Sequence, residues 1–139
     1  MGSRLEHRIA RFGAKYGLAL LHLAYAVIYI WFGALKVAGI SPAEELVLRA
    51  TGWIFSHAFV VILGWWEIAI GLLLPFRKTR LIGLILLFAQ FPGTFLPLIT
   101  NPEDCFTAFP FGLTLEGQYI VKNLILIAGG LIMWGTRAT

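Results

Sequence analysis

Residues 81–99 read LIGLILLFAQFPGTFLPLI, and no charged side chain occurs between Arg80 and Glu103. A bilayer hydrocarbon core about 30 Å thick requires about 20 consecutive apolar residues in a helix. This stretch therefore predicts a membrane-spanning helix. Pro92 and Pro97 are expected to bend that helix and to free backbone carbonyl groups on its interior side.

Three further apolar stretches have the length of a membrane span, and charged turns separate them. The four predicted spans cover residues 16–36, 53–75, 80–99 and 118–136. The fourth is the least regular, because Lys122 and Asn123 interrupt its start. The hydrophobic fraction of 59% exceeds the usage of soluble domains, which is about half. We therefore expect a single all-α domain over residues 1–139, an integral membrane four-helix bundle.

The charged residues are divided unequally between the two ends of the predicted spans. One end carries the basic residues Arg4, Arg8, Arg11, Lys15, Arg77, Lys78, Arg80 and Arg137. The other end carries the acidic residues Glu44, Glu45, Glu103, Asp104 and Glu116. Because Lys and Arg are enriched in cytoplasmic loops, this pattern predicts that both termini are cytoplasmic. The basic residues form no face interleaved with aromatic residues, so the net charge of +4 does not indicate nucleic acid binding.

The two predicted outer loops carry their own signals. Ser41, Pro42 and Glu44 form a capping box with proline at the first helical position, which predicts a short interfacial helix after the first span. Its apolar residues are expected to face the membrane: Leu46, Val47 and Ala50. Three phenylalanines of the second outer loop are expected to fold onto the mouth of the bundle: Phe106, Phe109 and Phe111.

Polar side chains inside a membrane are costly, so their positions carry functional information. On the first span, the residues that lie within about 80° of one face are His22, Tyr25, Tyr29, Gly33 and Lys36. This stripe is either a packing surface against neighbouring helices or the wall of a pocket or relay. The sequence leaves both interpretations open.

Glu67 lies near the middle of the second span, on one face with Gly64 and Gly71. The glycines allow a close helix approach, and a carboxyl group at this depth has to be protonated, paired or beside water. One interpretation is that Glu67 bonds a tyrosine or histidine and locks the bundle. The other is that Glu67 binds a ligand or a proton.

The third and fourth spans complete the predicted site. Gln90 shares a side of its helix with Gly83, Gly93 and Pro97. Lys36 and Lys122 lie near the predicted outer surface, where they either extend to water or converge above Glu67 as a site for an anion or a polar headgroup. The predicted ligand-binding residues are Glu67, Tyr25, Tyr29, His22, Gln90, Lys36, Lys122 and Asn123.

We predict no catalytic residue, no bound metal and no covalently bound cofactor. The sequence has neither a glycine-rich phosphate loop nor a nucleophile signature. Cys105 is the only cysteine, which excludes an internal disulfide and a cysteine metal cluster. A buried free thiol is the favoured interpretation of Cys105, and a crosslink between protomers is the alternative. His22 and His57 would lie about 15–20 Å apart in depth at about 1.5 Å per residue, too far to share one haem.

Four stretches carry a resemblance to a known family. They are residues 31–36 (WFGALK), 67–73 (EIAIGLL), 98–103 (LITNPE) and 115–123 (LEGQYIVKN). The first two stretches resemble the DoxX-like superfamily, through Glu67 and residues 71–73 in the second of them, and the last two are most similar to its YkgB/RclC-type branch. The resemblance covers nearly the whole chain from the first span onward. The resemblance implies a four-helix protein of the inner membrane of a bacterium or archaeon. Relatives include a quinone-linked thiosulfate oxidoreductase subunit and proteins tied to oxidant or reactive-chlorine resistance.

The resemblance also carries over to single residues. Lys36, Glu67 and Lys122 match the characteristic polar positions of the family. Asn123 departs from it, because relatives often have an aspartate after this lysine, so a Lys–Asp partnership does not carry over. The outer loop after the first span is also shorter than in several relatives.

Three functions follow as hypotheses. The first is an accessory subunit of a membrane redox or oxidative-stress system that offers a pocket for quinone or lipid. The second is a small proton-coupled transporter with Glu67 as the titrating group, which would act as an oligomer because four helices are few for alternating access. The third is a structural assembly subunit of a larger membrane complex. The expected partners are membrane lipids, with a larger redox complex or a second copy of the chain.

Overall fold

The computed structural model describes residues 2–42, 44–50 and 57–137, which are mostly helical. The helices are α1 (Gly2–Val37), α2 (Glu44–Ala50), α3 (His57–Leu73), α4 (Arg80–Thr100), α5 (Pro102–Cys105), α6 (Leu115–Val121) and α7 (Asn123–Arg137). Two short antiparallel strands, β1 (Phe106–Ala108) and β2 (Gly112–Leu113), form a hairpin between α5 and α6. The mostly helical architecture agrees with the expectation, which did not include this hairpin.

Three helical stretches are long and apolar enough to cross a membrane. They are Gly2–Val37, Arg80–Thr100 and Leu115–Thr136. The remaining predicted span corresponds to α3, which has 17 residues and is about 25 Å long at about 1.5 Å per residue. The predicted start of that span at residue 53 lies outside the described residues.

Helix α1 begins at Gly2, well before the predicted boundary at residue 16. The difference arises because residues 2–15 contain no proline and many good helix formers, such as Arg, Ala and Leu, although their charges exclude them from the bilayer core. The prediction from hydropathy therefore located the spanning part of α1 and missed its polar extension.

The last predicted span consists of two helices, α6 and α7, that meet at Lys122. Thr114 caps the first of them, because its hydroxyl accepts a hydrogen bond from the Gly117 backbone N–H at 3.1 Å. The cap explains why the helix begins at Leu115 rather than at the predicted residue 118. The backbone N–H of Ile125 donates to the Lys122 carbonyl at 3.1 Å across the junction.

Helix α2 confirms that a short helix follows the first span. It begins at Glu44, later than the predicted start at Pro42, and the Glu44 N–H donates to the Ser41 carbonyl at 3.3 Å. Leu46 is half-buried. The predicted membrane-facing side chains of Val47 and Ala50 lie outside what the structure describes.

The prediction for the phenylalanines of the second outer loop is wrong for two of them. Phe109 is 77% exposed and Phe111 is 92% exposed. The reason is that both residues lie between β1 and β2, at the tip of the hairpin. Phe106 is half-buried and packs edge-on against Phe109, with ring centroids 5.1 Å apart.

The packed interior lies between α1, α3, α4 and α7. Helix α1 packs along α3, α3 packs against α4, and α4 packs against α7. The buried core consists of Tyr25, Tyr29, Ile70, Leu74, Leu84, Leu87, Phe91 and Met133. Large apolar residues also cover the outside of the same helices, for example Trp31 at 62% exposure, Ile62 at 60% and Ile125 at 74%. An apolar exterior of this kind suits a protein embedded in lipid.

Glycines set the distance between α1 and α3. A methyl group built on Gly64 would lie 2.6 Å from the Gly33 carbonyl oxygen and 2.9 Å from Cβ of Lys36. These separations are below van der Waals contact, so the two backbones approach this closely only because Gly64 has no side chain. The close approach brings Lys36 over the surface of α3.

Candidate functional site

The site is built around the carboxylate of Glu67, which α3 carries on its buried face. Oε2 of Glu67 accepts a hydrogen bond from Nζ of Lys36 at 3.0 Å, and Oε1 accepts one from Nε2 of Gln90 at 2.8 Å. Helices α1, α3 and α4 each supply one of these residues. We refer to Lys36, Glu67 and Gln90 as the Glu67 cluster.

The ion pair in the Glu67 cluster is almost fully enclosed by protein. The side chain of Lys36 is 10% exposed and that of Glu67 is 9% exposed. Each charge supplies the countercharge that the other needs in a medium of low dielectric constant. Lys36 therefore does not extend to water, which was one of its two interpretations, and it lies beside Glu67 because the glycine contact brings α1 and α3 close together. The bonds to Glu67 come from a lysine and a glutamine rather than from the tyrosine or histidine considered above.

Gln90 has a fixed orientation within the cluster. Its amide nitrogen faces the carboxylate of Glu67, so its oxygen Oε1 points elsewhere as a hydrogen-bond acceptor. That oxygen is buried and has no hydrogen-bond partner among the described residues. A buried acceptor without a partner is destabilising, which favours the binding of a donor at this point.

The stripe predicted on α1 is buried, as its periodicity indicated. His22, Tyr25 and Tyr29 are 6%, 2% and 8% exposed. The rings of Tyr25 and Tyr29 stack with centroids 6.1 Å apart, and the Tyr25 hydroxyl donates to the Leu126 carbonyl. Tyr25 therefore joins α1 to α7, a structural role within the core. Nε2 of His22 is buried and has no hydrogen-bond partner in the described part of the chain.

Lys122 and Asn123 do not join the Glu67 cluster. Lys122 is exposed, and its Nζ lies 5.5 Å from the centroid of the Tyr119 ring. Asn123 is half-buried, and its Nδ2 donates to the Tyr119 carbonyl at 3.4 Å. Both side chains interact within the junction of α6 and α7, so the convergence of Lys122 with Lys36 stays a prediction that these contacts do not support.

A second polar network, which the sequence did not predict, joins the loop between α1 and α3 to the loop between α4 and α6. Arg49 on α2 donates from Nη1 to Oδ1 of Asp104 at 2.7 Å, and its Nη2 lies 3.3 Å from Oε1 of Glu45. Thr114, at the start of α6, also contacts this network, because its hydroxyl donates to the Asp104 carbonyl at 2.6 Å. Glu44 and His57 form a further contact between α2 and the start of α3.

A cleft of about 350 Å³ lies beside this network. The charged residues that line it are Glu45, Arg49, Glu103, Asp104 and Glu116. Its described lining includes neither Glu67 nor Gln90. Acidic groups outnumber basic ones there, so this cleft differs in chemistry from the Glu67 cluster.

Cys105 is a buried free thiol at the base of the hairpin, as predicted. Its carbonyl accepts the Thr114 N–H at 2.9 Å. Burial raises the pKa of the Cys105 thiol, and the nearby carboxylates of Asp104, Glu116 and Glu103 shift that pKa in the same direction. The thiol is therefore held in its neutral, weakly nucleophilic form.

Among the described residues, no group of three or more His, Cys, Asp or Glu side chains is arranged to hold a metal ion. In comparisons with known proteins, no family model, no curated protein and no solved structure matches the chain. The DoxX-like assignment and the function it implies therefore stay predictions.

Proposed function

We propose that the chain is an accessory subunit of a membrane redox or oxidative-stress system, which holds a quinone or a lipid against the Glu67 cluster. The observation that carries the proposal is the unpaired Oε1 of Gln90 beside a buried ion pair. The ammonium group of Lys36 has three N–H donors, of which the bond to Glu67 uses one. The cluster thus offers donors and an acceptor within an apolar surround, as sites for amphiphilic ligands do.

The proposal includes a membrane topology. We infer a DoxX-like four-helix bundle in the inner membrane of a bacterium or archaeon, with α1, α3, α4 and the α6–α7 stretch as its spans. The unequal distribution of basic and acidic residues supports cytoplasmic termini. In a Cys105→Ser background, a membrane-impermeant thiol reagent applied to intact cells should label Glu103→Cys and not Lys78→Cys. Labelling of Lys78→Cys alone would reverse the orientation.

The Glu67 cluster favours the holding of a ligand over proton transport. Lys36 already compensates the negative charge of Glu67, which a transported proton would otherwise neutralise. A proton-coupled carrier would have to break this pair in every cycle. Proton uptake into proteoliposomes that depends on Glu67 would therefore support the transporter alternative instead.

The binding proposal is tested by the molecules that accompany the protein out of its membrane. Native nanodiscs of the unaltered chain and of Gln90→Leu are compared for quinone and lipid content by mass spectrometry. Loss of one good hydrogen bond, worth about 1.4 kcal/mol, lowers the affinity about tenfold, so the ligand content of the purified Gln90→Leu variant should fall. Lys122→Gln is the matched control, because Lys122 is exposed and interacts with Tyr119. Equal quinone and lipid content in all three preparations would contradict the proposal.

A further inference from the structure

The N-terminal part of α1 extends beyond the packed helices. Every described residue from Gly2 to Tyr16 is exposed, and the first buried residue of α1 is His22. Helix α1 has 36 residues and is about 54 Å long at about 1.5 Å per residue, whereas the bilayer core is about 30 Å thick. Residues 2–16, which we term the N-terminal segment, therefore project out of the hydrocarbon core.

Two stripes run along the N-terminal segment at helical spacing. The basic stripe consists of Arg4, Arg8, Arg11 and Lys15. The apolar stripe consists of Leu5, Ile9, Phe12 and Tyr16, which are 63%, 62%, 57% and 44% exposed. At about 100° per residue each stripe covers about 60° of the helix, and the two lie side by side. The ring centroids of Phe12 and Tyr16 are 5.1 Å apart, and Nζ of Lys15 lies 5.2 Å from the Tyr16 centroid.

An apolar stripe beside a basic stripe favours a binding surface that is both partly apolar and negatively charged. Four exposed apolar side chains favour removal from water, and a neighbouring row of positive charge favours an anionic surface. The headgroup region of a bilayer with acidic lipids has both properties at the same depth. A second copy of the segment fits less well, because parallel association along the apolar stripes brings two basic stripes together.

Gly13 lies in the last turn of the N-terminal segment, and Gly17 directly follows the segment. An added Cβ at Gly13 or at Gly17 would meet no atom within 4 Å, so neither glycine is required for packing. Glycine in a helix interior weakens the helix by about 1 kcal/mol relative to alanine, which makes a bend easier at these positions. We propose that the N-terminal segment turns at Gly13 and Gly17 and docks on anionic lipid headgroups beside the spanning helices.

The test uses the full chain in nanodiscs with an environment-sensitive fluorophore. Cys105→Ser removes the only thiol, and Ile9→Cys places the label on the apolar stripe. His7→Cys places the label about 160° around the helix as the matched control. In discs that contain phosphatidylglycerol we expect blue-shifted, brighter emission from the label at position 9 and water-like emission from position 7. In phosphatidylcholine discs, or with Arg8→Glu and Arg11→Glu together, the shift at position 9 should be lost.

Two results would overturn this proposal. One is water-like emission from position 9 in both kinds of disc. The other is an emission shift at position 9 that appears only in discs with two copies of the chain. Such a shift would depend neither on lipid charge nor on the Arg8→Glu and Arg11→Glu substitutions. That second result would assign the apolar stripe to contact between copies. Circular dichroism of each variant checks that the helices are intact.

Discussion

Nζ of Lys36 lies 3.0 Å from Oε2 of Glu67, and about a tenth of each side chain is exposed. The two residues are 31 positions apart in the sequence and come from different helices. Their contact depends on the close approach of α1 and α3 at Gly33 and Gly64. A buried ion pair gives little net stability over an apolar pair, but removal of one partner leaves a buried charge. The pair thus makes the Glu67 cluster sensitive to any change in helix packing.

The first prediction concerns that ion pair. Lys36→Met and Glu67→Gln should each lower the free energy of unfolding by about 3–5 kcal/mol, because each leaves an uncompensated buried charge. The loss in the double variant should be about 1–3 kcal/mol smaller than the sum of the two single losses, since the double variant contains neither charge. Denaturant unfolding in detergent measures all four proteins. Strictly additive losses would show that the two charges do not interact.

The second prediction concerns the contact between α1 and α3. Gly64→Ala should destabilise the protein by about 1–3 kcal/mol, because the added methyl group meets the Gly33 carbonyl oxygen at 2.6 Å. Gly135→Ala is the control, since an added Cβ there has no atom within 4 Å. The control should be neutral or stabilising by up to about 1 kcal/mol through helix propensity. Equal stability of the two variants would contradict the glycine contact.

The length and location of the apolar helices could be predicted because a bilayer imposes a span length that hydropathy reveals. Periodicity also predicted which face of α1 is buried, from His22 to Lys36. The partner of Glu67 could not be predicted in this way, because periodicity places residues on a face of their own helix and leaves the rotation and depth of its neighbour undetermined. For this reason the sequence left two interpretations of Lys36 open, extension to water or a position above Glu67.

The loops that follow α1 and α4 show a second limit of sequence-based prediction. Arg49 and Asp104 are 55 positions apart, and each belongs to a short helix with no long-range sequence signal. Phe109 and Phe111 were expected to pack because they are apolar, yet the hairpin places them at its exposed tip. Contacts between loops depend on where the spanning helices place the loop ends.

The third prediction concerns the ion pair between Arg49 and Asp104. Asp104→Asn should increase amide hydrogen exchange in residues 44–50, because Arg49 loses its nearer carboxylate partner. The effect on global stability should be about 1 kcal/mol or less, since the Arg49 side chain is 39% exposed. Glu45→Gln is the matched control, because the Glu45 side chain is 70% exposed and 3.3 Å from Arg49. Identical exchange in the two variants would contradict a role for Asp104 in anchoring α2.

The fourth prediction follows from the raised pKa of the Cys105 thiol. The folded state disfavours the thiolate, so the neutral Cys105 thiol contributes to the free energy of unfolding. That contribution is complete below the ordinary pKa of 9.0 and is lost as the pH rises through the higher pKa of the folded state. Relative to Cys105→Ala, the free energy of unfolding of the unaltered protein should fall by up to about 1.4 kcal/mol per pH unit in that window. Unfolding measured across the alkaline range tests this. A stability difference between the two proteins that does not vary with pH would contradict it.

We propose that the Glu67 cluster holds an amphiphilic ligand, and photocrosslinking with a quinone analogue measures that contact peptide by peptide. Crosslinks in the native membrane should concentrate on peptides from α3 and α4 that contain Glu67 and Gln90, and natural quinone should compete for them. Gln90→Leu should weaken this labelling about tenfold through the loss of one hydrogen bond, while Lys122→Gln should leave it unchanged. Labelling spread evenly over the lipid-facing helices, without competition and without dependence on Gln90, would contradict ligand binding at the Glu67 cluster.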